Sequence, residues 1–241
     1  CWLRFCLSCL PTCPAWLCCL YSKPAFQRRS SRVNKTVIFD LDGTLIDTES
    51  LAVKAGLQAF SEVGFPVELS FLHQLVGRDE PSGAAIIAAA YPYLDRVLLQ
   101  QRWGDGFRAG MADGLQMKAG ARDLLARLSH PVAVVTSSGR ASAHHKLGLV
   151  GLSDHFVEVV TLDDVTAAKP APDPYLLAAA RLGVSPARCL VFEDSEAGAE
   201  AAHRAGCRVV QVPDMVPSQG RWAHHLAASL LDGARAAGLK V

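Results

Sequence analysis

The stretch VIFDLDGTLID, residues 37–47, decides which fold this chain can adopt. Three apolar residues lead into Asp40 and Asp42, which are spaced one residue apart, and Gly43 follows them. A short apolar run of this kind predicts a buried strand. Two carboxylates at its end repel each other, and burying them is costly unless another group compensates. A chemical role is one explanation for the pair. In that case groups from elsewhere in the chain must compensate the negative charge of the two carboxylates.

Composition narrows the class of protein. Half of the 241 residues are apolar, a fifth are charged, and the formal net charge is +1, which is typical of a soluble globular protein. Because no Lys/Arg stripe is present, we expect no nucleic-acid partner. Six of the eight cysteines fall within residues 1–19, and Cys189 and Cys207 sit in apolar surroundings. The body therefore fits a reducing compartment, and we expect a cytoplasmic monomer whose core is not associated with a membrane.

The opening segment, residues 1–33, differs from the rest of the chain. It is mostly apolar, is interrupted by Pro11 and Pro14, and ends in a stretch rich in Arg and Ser. We expect it to lie outside the fold. A targeting or membrane-associated segment is one alternative. A metal or redox site at Cys6 and Cys9, which have CxxC spacing, is another.

From residue 36 onward the pattern predicts an α/β fold. Buried strands are predicted at 36–41, 131–136, 156–161, 189–193 and 208–212. Helices alternate with the later strands, which indicates a Rossmann-like, doubly wound parallel sheet covered on both faces. The mostly helical stretch 48–118 interrupts this order and predicts a small cap domain inserted after the first strand. The catalytic core then consists of 34–47 and 119–241.

Polar residues follow several of these strands at the edge where parallel sheets bind ligands. They are Asp40 and Asp42 after the first strand, Thr136, Ser137 and Ser138 after the second, Lys169 in a loop after the third, and Glu193 and Asp194 after the fourth. Clustered carboxylates suit Mg²⁺, which commonly binds one or two of them together with phosphate oxygens. The hydroxyls suit phosphate, and Gly43 allows a tight turn that brings backbone N–H groups toward an anion. A metal and a lysine in one site would compensate the paired carboxylates.

These residues predict phosphoryl transfer as a hypothesis. Asp40 would attack phosphorus and form an aspartyl-phosphate. Asp42 would protonate the leaving oxygen and then deprotonate the water that hydrolyses the intermediate. Mg²⁺ would hold Asp40 and the phosphoryl group.

Four short motifs, read in order, resemble those of the haloacid dehalogenase-like hydrolase superfamily. They are Asp40-Leu41-Asp42-Gly43-Thr44, Thr136-Ser137, Lys169-Pro170 and Glu193-Asp194-Ser195. The likeness spans residues 36–213, and the helical insertion resembles the subgroup of sugar-phosphate phosphatases and β-phosphoglucomutase.

The resemblance implies a role for each motif residue. Asp40 would be the nucleophile, Asp42 the acid/base, and Lys169 the group that stabilises the nucleophile and phosphate. Substrate binding would involve Gly43, Thr44, Thr136, Ser137 and, in a cap loop, Arg78. Mg²⁺ would be held by Asp40, Glu193, Asp194 and the backbone carbonyl of Asp42. The resemblance also implies a mobile cap with a hinge at residues 47–49.

The function predicted from the resemblance is a Mg²⁺-dependent phosphatase acting on a small phosphorylated metabolite. The presence of Asp42 argues against a dehalogenase, and against a phosphonate-cleaving enzyme that would use Lys54. A β-phosphoglucomutase-like mutase is the enzymatic alternative, and a non-catalytic phosphate-binding module is the other. The cap sets the substrate, which the sequence leaves open.

Overall fold

The computed structural model describes residues 36–75 and 80–241, and it contains the predicted parallel sheet. Within these residues the sheet has six strands, all parallel, in the order β3-β2-β1-β4-β5-β6. They are β1 (Thr36–Phe39), β2 (Val132–Val135), β3 (Glu158–Val160), β4 (Cys189–Glu193), β5 (Arg208–Gln211) and β6 (His225–Leu226). The predictions for residues 1–33 lie outside the described residues.

Helices cover both faces of this sheet. They are α1 (Thr48–Glu62), α2 (Leu69–His73), α3 (Glu80–Ala90), α4 (Arg96–Gly114), α5 (Ala121–Arg127), α6 (Arg140–Leu149), α7 (Asp173–Arg181), α8 (Glu196–Arg204) and α9 (Leu230–Ala236). Successive side chains of a strand point to opposite faces. Val37 and Phe39 accordingly join the apolar cluster under α5, α6 and α9, whereas Ile38 joins the cluster under α7 and α8. Burial on both faces explains why the strands are continuously apolar.

The helices α1 to α4 form an apolar cluster of their own, around Phe60, Leu72 and Leu99. Helices α1 and α4 approach closely at Gly56, where an added Cβ would lie 2.5 Å from the Trp103 ring. The indole N–H of Trp103 donates a hydrogen bond to the Ala52 carbonyl at 2.8 Å. The division into a core and a cap of residues 48–118 stays a prediction, and this separate cluster is the feature that supports it.

Two neighbouring chain crossings connect the helical segment to the sheet. Ile46 pairs with Met117 in an antiparallel bridge. The Asp47 N–H donates to the Gln116 carbonyl at 2.9 Å, and the Lys118 N–H donates to the Leu45 carbonyl at 2.9 Å. Entry and exit of the segment therefore lie side by side.

The structure adds elements that the sequence pattern did not predict. Strand β6 has two residues, and helix α9 packs Leu230 and Ala234 against the sheet. Cys189 and Cys207, predicted to be core residues, are buried free thiols. Among the helices of residues 36–75 and 80–241, none is both long enough and apolar enough to cross a membrane.

Candidate active site

A pocket of about 380 Å³ lies at the carboxyl edge of the sheet. Its walls come from the strand ends, from α6 and from the helical segment. The lining residues are Asp40, Asp42, Thr136, Ser137, Ser138, Lys146, Lys169, Asp194 and Ser195, with Thr48, Glu49, Ala52 and Phe107 from α1 and α4. A second cavity of similar volume lies beside Lys118 and Arg122. Most of the predicted motif residues, including Asp40, Asp42 and Lys169, line the first cavity, which makes it the candidate active site.

Lys169 is the compensating cation that the opening motif requires. Its Nζ lies 2.6 Å from Asp40 Oδ1 and 2.6 Å from Glu193 Oε1, and it donates to the Val135 carbonyl at 2.9 Å. The Lys169 side chain is only 6% exposed. Pairing of β1 with β4 brings the two acids together, and the Asp40 N–H donates to the Phe192 carbonyl at 2.9 Å. The predicted lysine and the predicted nucleophile are thus in direct contact.

Asp40, Glu193 and Asp194 form a cluster that fits a hard metal ion. One carboxylate oxygen from each can be chosen so that all three lie within 4.8 Å of one another. Burial, reinforced by Glu193 and Asp194 and opposed by Lys169, holds the pKa of Asp40 well above its usual range. Burial, with the charges of Glu193 and Glu49, raises the pKa of Asp194 to about 8. Three desolvated carboxylates around one lysine supply the oxygen ligands that Mg²⁺ prefers.

Gly43 and Thr44 contact this cluster. Gly43 has φ +84°, and an added Cβ would lie 2.5 Å from Asp194 Oδ2, so glycine is required on both grounds. The Thr44 hydroxyl is buried and donates to Asp194 Oδ1 at 3.1 Å. Both residues were predicted to bind substrate. The structure places them against Asp194, and neither is among the residues that line the pocket.

Glu193 has partners on both carboxylate oxygens. Oε1 accepts from Lys169 and also from the Tyr175 hydroxyl at 2.6 Å, and Oε2 accepts from the Ser195 hydroxyl at 3.2 Å. Both Glu193 and Tyr175 are fully buried. These hydrogen bonds hold the Glu193 carboxylate in place beside Lys169. The predicted role of Glu193 as a metal ligand stays a prediction.

Asp42 occupies a separate part of the pocket wall. Its Oδ1 accepts from Lys146 Nζ at 2.6 Å and from the Thr48 hydroxyl at 2.9 Å. Its Oδ2 accepts from the Ser138 hydroxyl at 2.7 Å and faces the Thr136 hydroxyl at 3.5 Å. The side chain of Asp42 is therefore turned toward α6. Its predicted part in metal binding, which uses the backbone carbonyl, stays a prediction.

The phosphate-binding prediction concerns the loop after β2. Thr136 is 3% exposed and accepts a hydrogen bond from the Ser138 N–H at 3.0 Å. Ser137 lies beside it in the pocket lining. The loop thus lines the same pocket as Asp40 and Lys169. Arg78, the predicted contact from the cap, lies outside the described residues.

The sequence model for haloacid dehalogenase-like hydrolases matches residues 37–212, which include all four motifs and every strand from β2 to β5. This chain belongs to the haloacid dehalogenase-like hydrolase family. The predicted family and the predicted enzyme class are therefore confirmed.

Several members of this family are close enough for direct comparison. The chain is 35% identical over 180 residues to the fructose-1-phosphate phosphatase YqaB of Escherichia coli, covering 73% of this chain and 95% of YqaB. It is 33% identical over 195 residues to hexitol phosphatase A of Escherichia coli, covering 74% of this chain and 82% of that protein. A Thermotoga maritima structure described as a β-phosphoglucomutase is 29% identical, with a TM-score of 0.70, and covers 80% of this chain and 94% of that one.

The sequence analysis missed Lys146 and Tyr175, which contact the carboxylates of Asp42 and Glu193. Lys146 lies on the buried side of α6, and Tyr175 lies on the buried side of α7. A signal for both was available, because a buried amine or phenol needs a polar partner. The spacing of Ala143, Lys146 and Leu147 places the lysine on the apolar face of its helix.

The first turn of α8 depends on Gly198, where an added Cβ would lie 1.9–2.2 Å from the carboxylate of Glu193. We expect Gly198→Ala to lower the free energy of unfolding by about 1–3 kcal/mol, because the added methyl overpacks a buried site. Urea denaturation followed by circular dichroism measures this change.

Gly148→Ala is the matched control for that substitution. Gly148 lies on helix α6, and a Cβ added to it would be 3.6 Å from the Ser153 hydroxyl, an ordinary van der Waals distance. We expect it to be neutral or to stabilise the protein by about 0.5–1 kcal/mol, since alanine favours a helix over glycine. Equal stability of the two variants would contradict the close approach at Glu193.

Proposed function

We propose that this chain is a Mg²⁺-dependent phosphatase that hydrolyses a small sugar or polyol phosphate through an aspartyl-phosphate on Asp40. One observation carries the proposal. Asp40, only 6% exposed, is held by Lys169 at 2.6 Å inside the acidic cluster, in a pocket that Asp42 and Thr136 also line. The names of the relatives support the substrate class.

In the first half-reaction, the carboxylate of Asp40 attacks phosphorus and the bond from phosphorus to the leaving oxygen breaks. Asp42 gives its proton to that oxygen, so the product leaves as an alcohol. Lys169 offsets the negative charge that Asp40 and the phosphoryl oxygens bring together. Thr136 and Ser137 donate hydrogen bonds to phosphoryl oxygens.

In the second half-reaction, water attacks the phosphorus of the aspartyl-phosphate and gives a proton to Asp42. The bond between phosphorus and the Asp40 oxygen breaks, and inorganic phosphate leaves. Asp42 then carries the proton that the next leaving oxygen receives, so protons balance over one turnover.

Asp40, Asp194 and Glu193 are the residues that would hold Mg²⁺, together with the backbone carbonyl of Asp42. Bound Mg²⁺ would neutralise charge on the transferring phosphoryl group. The pocket volume of about 380 Å³ suits a small metabolite.

Phosphate release tests this function. The full chain is incubated with a panel of phosphate esters, including fructose 1-phosphate, a hexitol phosphate, pseudouridine 5′-phosphate, phosphogluconate and β-glucose 1-phosphate. We expect phosphate release to be lost in EDTA and to return with excess Mg²⁺, because without the metal the negative charge of the carboxylate cluster is not fully compensated. Conversion of β-glucose 1-phosphate to glucose 6-phosphate without net release would indicate a mutase. Stoichiometric phosphate binding without turnover would indicate a binding module.

A further inference from the structure

Lys146 is a buried lysine that the motifs do not include. Within α6, His144 and His145 are exposed, whereas Lys146 lies with Ala143 and Leu147 on the buried side. Its side chain is 8% exposed. A lysine at such a position is costly unless its charge is paired, so its partner indicates its purpose.

The partner of Lys146 is the second aspartate of the opening motif. Nζ contacts Asp42 Oδ1 at 2.6 Å and the Ser138 hydroxyl at 2.9 Å, and that hydroxyl donates to Asp42 Oδ2 at 2.7 Å. Lys169 instead contacts Asp40. Among the described residues, each of the two aspartates Asp40 and Asp42 thus has its own lysine partner.

Among the described residues, four hydrogen-bond donors contact the Asp42 carboxylate. The donors belong to three elements: Lys146 on α6, Ser138 and Thr136 after β2, and Thr48 at the start of α1. Because both carboxylate oxygens accept hydrogen bonds, these donors fix the orientation of the Asp42 carboxylate. An oriented carboxylate can accept a proton from a defined direction.

We propose that Lys146 is a positioning residue that orients Asp42 for the second half-reaction, in which Asp42 takes a proton from the attacking water. This inference rests on the proposed function. Water forms its bond to phosphorus, its proton passes to Asp42, and the bond from phosphorus to Asp40 breaks. Lys146 gains and loses no proton. It keeps the accepting oxygen within reach of the water, since general-base catalysis requires hydrogen-bond distance.

The test separates the two half-reactions with p-nitrophenyl phosphate. Its leaving group departs as a stable phenolate, so phosphorylation of Asp40 needs little help from Asp42. Hydrolysis of the aspartyl-phosphate still needs the base. For Lys146→Met we expect kcat to fall about 100-fold, with kcat/KM nearly unchanged. We also expect a rapid burst of p-nitrophenol approaching one per enzyme molecule, because the phosphorylated enzyme accumulates.

Three further variants sharpen this experiment. Asp42→Asn should show the same burst, because it removes the base itself. Lys146→Arg, which keeps a donor and a positive charge, should recover part of the lost kcat. Lys240→Met, which changes an exposed lysine near the end of the chain, should behave as the unchanged protein does.

The outcomes distinguish this inference from the proposed function. If the unchanged protein releases no phosphate with Mg²⁺, the proposed function fails. If it turns over and Lys146→Met keeps full kcat, the positioning role is wrong. A rise in KM at constant kcat would make Lys146 a substrate contact, and an equal fall of kcat and kcat/KM without a burst would make it structural; either result overturns the inference.

Discussion

Asp40→Asn is expected to lower phosphate release by more than about 10⁴-fold, as loss of a covalent nucleophile does in other enzymes. Asparagine has nearly the shape of aspartate, but its amide cannot form the aspartyl-phosphate. Lys169 keeps its contact with Glu193, so the variant should fold. Steady-state phosphate release measures the loss. Acid quenching after incubation with a ³²P-labelled substrate checks the intermediate, which should label the unchanged protein on the peptide that contains Asp40.

Asp154→Asn is the matched control, because Asp154 is exposed and lies outside the pocket lining. It should retain full activity and the same covalent label. Substantial turnover by Asp40→Asn, or a label on another peptide, would remove Asp40 as the nucleophile while leaving the fold assignment intact.

Lys169→Met is expected to have the largest effect on stability as well as abolishing turnover. It leaves the buried carboxylates of Asp40 and Glu193 without the amine that both contact at 2.6 Å. Removing one partner of a buried ion pair costs about 3–5 kcal/mol. Urea denaturation in EDTA should show that the free energy of unfolding falls by this amount. Excess Mg²⁺ should reduce the loss, since a bound cation would replace part of the missing charge.

Lys54→Met provides the reference, because Lys54 is an exposed lysine of α1. Its free energy of unfolding should match that of the unchanged protein with and without Mg²⁺. If Lys169→Met unfolds at the same urea concentration as the reference, Lys169 is not the cation that stabilises the acidic cluster.

The residues that the sequence analysis placed at this edge, and that line the pocket, share one property: they follow strands. The end of a parallel strand has a known place in the fold, so Asp40, Thr136 and Asp194 could be brought to one edge from topology alone. Lys169 was placed there by its loop after β3. None of these placements needed knowledge of side-chain packing.

The residues that were missed lie on helices. Whether Lys146 reaches the pocket, or Tyr175 reaches Glu193, depends on how α6 and α7 rotate against the sheet, and packing sets that rotation. The contact of Thr44 with Asp194 was not predicted, for a related reason. The chain reverses after Gly43, with the Leu45 N–H donating to the Leu41 carbonyl at 2.9 Å, and this reversal turns the threonine toward Asp194. Strand β6 was missed because two residues are too few to form a pattern.

The helical segment begins and ends at neighbouring residues, Ile46 and Met117, and this affects how proteins of this architecture can evolve. Because the helical segment leaves and rejoins the core at neighbouring residues, its length can change without moving the ends of the chain that flank it. The sheet can therefore keep its structure when residues are added to or removed from the segment. Such a module can be enlarged, shortened or exchanged between lineages while the reaction centre is inherited unchanged. New substrate preferences can then evolve without new chemistry.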